Sequence, residues 1–439
     1  MADREKLVIV GNGMAAMRLL EELDARLSAG SATDSAVAPA AEPGPIGLTA
    51  SQELADGGIG FRLAFRFDIT VIGAETRLAY NRILLSPLLS GEMGWEDVCL
   101  KPAEWYAARG ISLVLGDAAM RLDPIGKNIT LASGTELTFD RCVLATGSAP
   151  ILLPIPGNHL AGLRTFRDVA DVEAMTEATK GGARAVVIGG GLLGIEAAYG
   201  LARRGVPVTL VHIMDRLMER QLDAEAAALL KRAIEAKGIT VLLEAQTAEI
   251  VGRSHVDAVR LTDGRELPCA LVVMAAGVRP EASLARVAGL SVERGVLVDD
   301  RLTTSHPRIH AIGECVQHRG ACYGLVEPCY EQAAVLAHVL TGAARDYAGT
   351  VMATNLKVSG VPVFSAGDFE GEGAETIIYR DTGWPSYRKL VLRDGQLVGA
   401  VLYGDTADSH WYLDLIREGR PVHDIRSHLP FGQAYAEAA

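Results

Sequence analysis

The feature that most constrains this chain is a glycine-rich turn that occurs twice. Residues 7–16 read Leu-Val-Ile-Val-Gly-Asn-Gly-Met-Ala-Ala, and residues 184–196 read Arg-Ala-Val-Val-Ile-Gly-Gly-Gly-Leu-Leu-Gly-Ile-Glu. In both copies, small or β-branched apolar residues predict a short buried strand, and the residues after the glycines fit a helix. A strand, a Gly-x-Gly-x-x-Gly turn and a helix form the pattern of dinucleotide-binding folds. Two copies in one chain predict an α/β protein with two Rossmann-like domains.

Each glycine of the second copy has a separate predicted task. Gly189 lets the chain turn tightly, and Gly191 lets the backbone approach a pyrophosphate. Gly194 allows the helix to pack closely on the strand, which leaves the helix N–H groups and positive dipole end facing the phosphates. In the first copy Gly11 and Gly13 match the first two positions. Ala16 takes the third position, where a small residue is enough.

Charge and cysteine usage restrict the classes of partner and compartment. The net charge is −12, which argues against nucleic acid or an anionic membrane surface as the main partner. No apolar run approaches the length of a membrane span. The chain starts Met-Ala-Asp-Arg-Glu-Lys and then enters the first predicted strand, so we expect no signal peptide. Six cysteines without a CxxC pair favour reduced thiols and a cytoplasmic location.

An acidic residue that binds ribose hydroxyls is expected about 20 residues after a nucleotide-binding turn. After the first turn that interval instead contains residues 28–65, rich in Ala, Ser, Gly and Pro. We interpret 28–65 as a loop insertion, and a surface loop is favoured over a functional lid. The strand appears afterwards, at 67–75, and ends in Glu75 at the ribose-binding place.

The remaining pattern predicts three domains. A buried strand ends in Thr146 and Gly147, and a strand–turn–strand segment ends in Gly313 and Glu314. Strands after the second turn lead to Gly277, and the tail alternates apolar and polar residues as in a small α+β domain. The predicted domains are a first nucleotide-binding domain at 1–150 and 278–345, a second at 151–277, and a C-terminal α+β interface domain at 350–430.

These four signatures, in this order, resemble the two-dinucleotide flavoprotein reductases over nearly the whole chain except the insertion. In that superfamily the first motif binds FAD and the second binds NAD(P)H. The resemblance implies an FAD site that contains Gly11, Gly13, Met14, Ala15, Glu75, Arg82, Thr146, Gly147, Gly313 and Glu314. It implies an NAD(P)H site that contains Gly189, Gly191, Gly194, His212 and Gly277.

Closer matches narrow the resemblance. The segment Tyr-Asn-Arg-x-x-Leu-Ser from residue 80 is similar to the flavin-side segment of ferredoxin and rubredoxin reductases. Further segments resemble the flavin module at the N-terminus of the assimilatory NAD(P)H nitrite reductase large subunit: 81–91, 217–223, 313–315, 323–332 and 357–367. In that family iron–sulfur and sirohaem domains follow the module, and no four-cysteine segment is present here. We therefore expect the electron-input half of the reaction without nitrite reduction itself.

The resemblance implies hydride transfer from NAD(P)H to FAD, followed by electron transfer to a protein acceptor. Candidate acceptors are a nitrate or nitrite reductase, a ferredoxin or a rubredoxin, and formation of a homodimer is left open. Glu196 lies where related reductases place a carboxylate near the nicotinamide, and a surface or salt-bridged glutamate is the alternative. Arg82 is expected near the flavin, where a cation could stabilise the anionic reduced ring, or in a domain-interface salt bridge.

Three further questions concern cysteines, the donor and the class of function. Cys315, Cys322 and Cys329 recur every seven residues but lack the close pairs of metal sites, so no metal is expected. Residues 81–89 contain no cysteine, which argues against thiol-based reduction.

His212 replaces the usual acid and, with Arg216, could admit a 2′-phosphate; the choice between NADH and NADPH stays open, with NADH slightly preferred. The functional alternatives are a rubredoxin or ferredoxin reductase of another pathway and a non-catalytic flavin-binding redox sensor.

Overall fold

The structure of the protein is a computed structural model that describes residues 4–29, 66–180, 182–356, 360–381 and 383–438. The predicted loop insertion at 28–65 lies outside these ranges, apart from its first two residues, which end the first helix. Among the described helices, none combines the length and the apolar character that crossing a bilayer requires.

Strands and helices alternate through much of the described chain. The strands are β1 (Glu5–Val10), β2 (Phe67–Gly73), β3 (Ser112–Leu115), β4 (Ala119–Asp123), β5 (Asn128–Leu131), β6 (Glu136–Thr138), β7 (Arg141–Leu144), β8 (Ser148–Pro150), β9 (Leu163–Arg164), β10 (Ala185–Ile188), β11 (Val208–Val211), β12 (Thr240–Leu242), β13 (Thr247–Gly252), β14 (Val256–Leu261), β15 (Glu266–Pro268), β16 (Leu271–Met274), β17 (Val278–Pro280), β18 (Val296–Val298), β19 (Ile309–Ala311), β20 (Val316–His318), β21 (Ala353–Leu356), β22 (Val363–Gly367), β23 (Glu375–Asp381), β24 (Ser386–Arg393) and β25 (Gln396–Tyr403). The α-helices are α1 (Met14–Ala29), α2 (Leu85–Ser90), α3 (Trp95–Val98), α4 (Ala103–Ala107), α5 (Val169–Ala178), α6 (Leu192–Arg203), α7 (Ala224–Glu235), α8 (Ser283–Val287), α9 (Val326–Leu340), α10 (Ser409–Glu418) and α11 (Gln433–Glu437).

One compact unit consists of the described parts of Met1–Asn81, Cys99–Ala149 and Arg279–Thr350. Its main sheet is parallel and has the strand order β19-β7-β1-β2-β3. The chain leaves β1 toward β2 on one side and reaches β7 on the other side, so β1 lies at a topological switch point. Ligands of open α/β sheets bind beside the carboxyl ends of the strands at such a point.

Strand β1 is buried on both faces, as expected for a central parallel strand. Leu7 and Ile9 pack into the apolar cluster that contains residues of α1 and α9, while Val8 and Val10 pack into a second cluster on the other face. Because successive side chains of a strand point to opposite faces, the unbroken apolar run of β1 serves both clusters.

The second compact unit consists of the described parts of Arg82–Val98, Pro150–Val278 and Val351–Ala439. It contains a second five-stranded parallel sheet with the order β12-β11-β10-β16-β9 and a three-stranded antiparallel sheet, β13-β14-β15. The C-terminal part forms an antiparallel sheet, β21-β22-β25-β24-β23, on which α10 packs. The predicted fold class is confirmed: the protein is an α/β protein with Rossmann-like parallel sheets and a C-terminal α+β part. The predicted domain boundaries stay a prediction.

Candidate functional site

The first glycine turn follows the carboxyl end of β1. Gly11 donates its N–H to Ile72 O at 2.8 Å, and Ala145 donates to Val10 O at 2.8 Å, so the turn is joined to both neighbouring strands. Gly11 has φ 116°, and a Cβ there would overlap the carbonyl oxygen of Ala145. Only glycine fits both conditions.

After Gly11, the chain has space beside Gly13 and then begins a helix whose first N–H groups have no intrahelical acceptor. A Cβ on Gly13 would meet no atom within 4 Å. Helix α1 begins at Met14, and Met17 donates the first intrahelical hydrogen bond to Gly13 O at 3.0 Å. The N–H groups of Met14 and Ala15 precede that bond, and the positive end of the helix dipole lies here. This combination fits the pyrophosphate of a dinucleotide.

Strand β19 brings a second predicted motif to the same turn. A Cβ on Gly313 would lie 3.1 Å from the Cβ of Ala15, so the two segments are in close contact. Gly313 donates its N–H to the side-chain oxygen of Gln332 at 2.7 Å, and Gln332 is buried in α9. The carboxyl ends of β1 and β19 are thereby held at one edge of the sheet.

A chain of hydrogen bonds joins the Thr146–Gly147 turn to Glu314. Ser148 Oγ donates to Glu314 Oε2 at 2.9 Å. Thr146 Oγ1 donates to the carbonyl oxygen of Glu281 at 2.6 Å, and Glu281 N–H donates to Gly147 O at 2.9 Å. The structure therefore brings Thr146, Gly147 and Glu314 together through Ser148 and Glu281.

The predicted ribose acid lies just beyond β2. Tyr80 is buried, and its hydroxyl donates to Glu75 Oε2 at 2.8 Å. The hydrogen bond restricts the orientation of the Glu75 carboxylate, a group that carries about four acceptor lone pairs in all. Glu75 thus has the chemistry that a ribose diol requires.

The second glycine turn repeats the geometry of the first. Gly189 donates its N–H to Val211 O at 2.8 Å, and Ala275 donates to Ile188 O at 2.8 Å. Gly189 has φ 124°, and a Cβ there would overlap the carbonyl oxygen of Ala275. A Cβ on Gly191 would meet nothing within 4 Å, whereas one on Gly194 would overlap the carbonyl oxygen of Gly189. This turn also fits a pyrophosphate at the start of its helix, α6.

His212 follows β11, beside the second turn. Its Nδ1 accepts the Gly190 N–H at 3.0 Å, and its Nε2 lies 3.0 Å from Glu219 Oε2. Arg216, the predicted partner of His212 for a 2′-phosphate, instead donates to Glu370 Oε1 at 2.7 Å and to Leu222 O at 3.3 Å.

Gly277 and Arg82 also lie in the second unit. Gly277 O accepts the Ile151 N–H at 2.9 Å, two residues beyond the Ala275 that borders the second turn. Arg82 begins a 3-10 turn and donates to the carbonyl oxygen of Arg167 at 2.7 Å.

Glu196 is buried in α6, two residues after Gly194, with 5% of its surface exposed. Burial raises the pKa of Glu196 to about 8. Its backbone oxygen accepts a hydrogen bond from Ser86 Oγ at 3.1 Å, which ties α6 to α2. A carboxyl group in this environment holds its proton at neutral pH and can donate a hydrogen bond.

The cysteines are thiols inside ordinary packing. Cys315 Sγ lies 3.3 Å from Ile312 O, and burial raises the pKa of the Cys315 thiol. Cys329 Sγ lies 3.3 Å from Leu325 O in the first turn of α9. Within the described part of the chain, no three His, Cys, Asp or Glu residues are grouped as a metal ion would require.

The sequence predicts no role for several residues that support the site. They support predicted residues through side-chain contacts: Tyr80, Ser148, Glu219 and Gln332. Ser148 and Tyr80 lie within five residues of a predicted residue in sequence, and Gln332 is a polar residue within an otherwise apolar helix face. Those signals could have identified them. Glu219 lies in the 217–223 segment that carries the resemblance, but its contact with His212 depends on the path of the loop after β11.

Comparison with protein families gives two matches. A family model described as pyridine nucleotide-disulphide oxidoreductase matches residues 43–335. A second model, described as the rubredoxin NAD+ reductase C-terminal domain, matches residues 353–420. Together the two models cover the second glycine turn and the C-terminal sheet, whereas the first glycine turn precedes the matched ranges.

Individual proteins agree with these matches. The chain is 41% identical to nitrite reductase [NAD(P)H] of Bacillus subtilis over 96% of this chain and 48% of that protein. It is 36% identical to the assimilatory nitrate reductase electron transfer subunit of the same organism, over 95% of this chain and 50% of that protein. The chain thus spans about half the length of these relatives. A ferredoxin reductase from Rhodopseudomonas palustris has the same fold, with a TM-score of 0.79, 24% identity and coverage of 97% of this chain and 100% of that one.

Proposed function

Because this chain belongs to the pyridine nucleotide-disulphide oxidoreductase family, whose members use FAD and NAD(P)H, we propose that it supplies electrons from NAD(P)H to a separate protein acceptor in assimilatory nitrate or nitrite reduction. The observation that carries the proposal is the pair of matched glycine turns. Each turn has an open glycine, a helix N-terminus and a polar residue after the neighbouring strand, which is what a dinucleotide needs. Two such turns allow one chain to bind an electron donor and a flavin at the same time.

The residues of the first unit would hold FAD. Gly13 and the N–H groups of Met14 and Ala15 would face the pyrophosphate, and Glu75 would accept hydrogen bonds from the adenosine ribose. Glu314, oriented by Ser148, would meet the ribityl or phosphate end. The capacity to accept a hydride and release electrons singly is supplied by FAD when it is bound.

The residues of the second unit would hold the nicotinamide dinucleotide and orient it. Gly189, Gly191 and Gly194 would border the pyrophosphate, with His212 and Gly277 alongside. Glu196 would donate a hydrogen bond to the nicotinamide, since its raised pKa keeps the carboxyl protonated near neutral pH. Arg82 would contribute a positive charge that favours the reduced, anionic flavin.

The preferred donor in this proposal is NADH. A 2′-phosphate needs a cation, and the Arg216 guanidinium is already paired with Glu370 and the Leu222 carbonyl oxygen. The proposed acceptor is a nitrate or nitrite reductase protein or its small iron–sulfur carrier, and the cytoplasmic location stays a prediction. The names of the two Bacillus subtilis relatives support this acceptor class.

A rubredoxin or ferredoxin reductase of another pathway is the second candidate. The match of residues 353–420 to the rubredoxin reductase C-terminal domain favours it. Both candidates share the reduction of FAD by a nicotinamide donor and differ only in the protein that takes the electrons.

Anaerobic reduction followed by an acceptor screen tests the proposal. The purified protein should contain FAD, and its flavin absorbance should bleach with NADH or NADPH in a stopped-flow instrument. The reduced protein is then mixed with a nitrate reductase, a nitrite reductase, a ferredoxin or a rubredoxin. Faster reoxidation by the nitrogen-cycle acceptors supports the first candidate, and faster reoxidation by rubredoxin supports the second. A bound flavin that neither nucleotide bleaches would contradict both.

A further inference from the structure

A carboxylate outside the glycine pattern lies beside the second turn. We propose that Glu219 reads the 2′ position of the adenosine ribose and selects NADH against NADPH. This inference rests on the proposed function, because it concerns the donor of that same reaction. In most dinucleotide folds an acid that directly follows the second strand has this role. Here His212 occupies that position, and the acid comes from seven residues further along the chain.

The hydrogen bonds of His212 define how Glu219 is held. Since Nδ1 accepts the Gly190 N–H at 3.0 Å, the ring proton is on Nε2 and is donated to Glu219 Oε2 at 3.0 Å. The His212 ring also packs on the turn, because a Cβ on Gly190 would lie 2.6 Å from its Cγ. The imidazole therefore links the backbone of the glycine turn to the carboxylate.

The Glu219 side chain remains partly exposed. It keeps 22% of its surface exposed, whereas the side chain of His212 keeps 8%. The neighbouring cation, Arg220, is 86% exposed and its Nε lies 3.8 Å from Glu219 Oε1, so it forms only a loose surface pair. A positioned and partly exposed carboxylate is suited to accept hydrogen bonds from two ribose hydroxyls.

A separate observation indicates that a ligand covers this place. Ile213 and Met214, which directly follow His212, have 57% and 44% of their surfaces exposed. Large apolar side chains next to a polar anchor are typical of ligand sites, where they contact the flat face of a ring. An adenine ring attached to the ribose that Glu219 binds would supply such a face.

The same arrangement disfavours a 2′-phosphate. A phosphate in place of the 2′-hydroxyl removes a donor that the carboxylate needs and adds negative charge next to it. Of the two cations near this place, Arg216 is held by Glu370 at 2.7 Å, and Arg220 pairs loosely with Glu219 itself. Selection against NADPH thus follows from the negative charge of Glu219 beside the ribose and from the pairing of Arg216 with Glu370.

The test compares variants of the FAD-loaded protein by reduction and by binding. We expect Glu219→Gln to lower the preference for NADH over NADPH by about 10- to 100-fold, the range expected for one charge at this distance near a protein surface. In calorimetry, the same variant should bind adenosine 2′,5′-bisphosphate more tightly relative to AMP. Adding His212→Asp to Glu219→Gln should restore the preference by returning an acid to the usual position.

Asp215→Asn is the matched control. Asp215 is in the same loop and is 62% exposed, and Arg216 retains its Glu370 partner when Asp215 is neutralised. We expect this variant to leave the preference unchanged. An equal shift in Asp215→Asn, or no shift in Glu219→Gln with normal FAD content, would overturn the role of Glu219. If the wild-type protein binds AMP selectively but neither NADH nor NADPH bleaches its flavin, the proposed function is overturned and the role of Glu219 is not. If the protein binds neither AMP nor adenosine 2′,5′-bisphosphate, the proposed function and the role of Glu219 are both overturned.

Discussion

The two glycine turns of this protein have the same backbone geometry and different side-chain surroundings. In each, the first glycine donates to the neighbouring strand and is pressed against a carbonyl oxygen of the strand on the other side, and the second glycine is open. The hydrogen bonds of Gly11 and Gly189 agree in length at 2.8 Å. Binding the pyrophosphate constrains the backbone in both turns, so the backbone alone does not distinguish the two ligands.

The two turns first differ at the third position of the Gly-x-Gly-x-x-Gly pattern, which is Ala16 in one and Gly194 in the other. Ala16 is buried in α1 without conflict, whereas a Cβ on Gly194 would overlap the carbonyl oxygen of Gly189. Two residues further on, α1 carries Arg18 at the surface and α6 carries the buried Glu196. The helices therefore have equivalent starts, but only α6 buries an acid in its first two turns.

The acids proposed to bind the two riboses differ as well. Glu75 follows β2 directly and is held by the Tyr80 hydroxyl, while Glu219 comes from a loop and is held by His212. The two turns thus share the helix dipole and the open glycine, and the side chains around them are what would separate the proposed flavin site from the proposed donor site.

Glutamate at each open glycine should separate the two sites most strongly. Gly191→Glu places negative charge at the pyrophosphate without steric conflict in the fold, so binding of NAD(P)H should fall by more than about a hundredfold. The matched variant Gly13→Glu should instead yield protein without flavin. Flavin absorbance and anaerobic bleaching measure the two losses. Loss of FAD from Gly191→Glu would mean that the two sites are assigned the wrong way round.

Exchanging glycine and alanine at the third position of the two turns should give unequal costs. Gly194→Ala should lower the free energy of unfolding by about 3 kcal/mol, since the methyl group meets a backbone oxygen that cannot move freely. Ala16→Gly should cost only about 1 kcal/mol through helix propensity. Denaturant unfolding compares the two variants, and equal costs would contradict the difference in helix packing.

The buried acid should give the second unit a pH-dependent stability. Its pKa is raised from 4.5 to about 8, so the folded state binds more protons than the unfolded state between these values. Stability from Glu196 is therefore fully present below pH 4.5 and is lost as the pH rises to 8, by at most about 1.4 kcal/mol per pH unit. Glu196→Gln should remove this dependence, as measured by unfolding at several pH values. Arg18→Gln is the control and should retain it.

The smallest effect is expected at the first ribose acid. Tyr80→Phe removes the hydroxyl that orients Glu75, and FAD affinity should fall about fivefold, or about 1 kcal/mol. Fluorescence titration of the flavin-free protein with FAD measures this change. An unchanged affinity would indicate that Glu75 needs no support from Tyr80.

Features encoded by local pattern could be predicted from the sequence. The two turns and the α/β class depend on residues close together in the chain, and the predicted class is confirmed. The binding roles of residues such as Glu75 and Glu314 stay predictions, although the structure gives both of them hydrogen-bond partners. Helix α5 and the antiparallel sheet β13-β14-β15 are elements that the sequence patterns do not predict as such.

Side-chain partnerships were the least predictable part. The sequence leaves open whether His212 acts with Arg216; in the structure His212 contacts Glu219, and Arg216 pairs with Glu370 more than 150 residues away. Such contacts depend on how a loop returns to the sheet, which no periodicity in the chain encodes. His212 stands where an acid is usual, but this difference alone does not identify Glu219 as its partner.

The long-range pairing of β7 with β19 has a consequence for synthesis of the protein. Residue 142 pairs with residue 309, and all five strands of the second parallel sheet lie between them in the chain. A nascent polypeptide that ends at residue 300 therefore already carries every strand of the sheet beside the Gly189 turn. It still lacks β19 and Glu314, which complete the sheet beside the Gly11 turn. On the ribosome, the set of strands in the sheet beside the second turn is therefore complete before the set in the sheet beside the first.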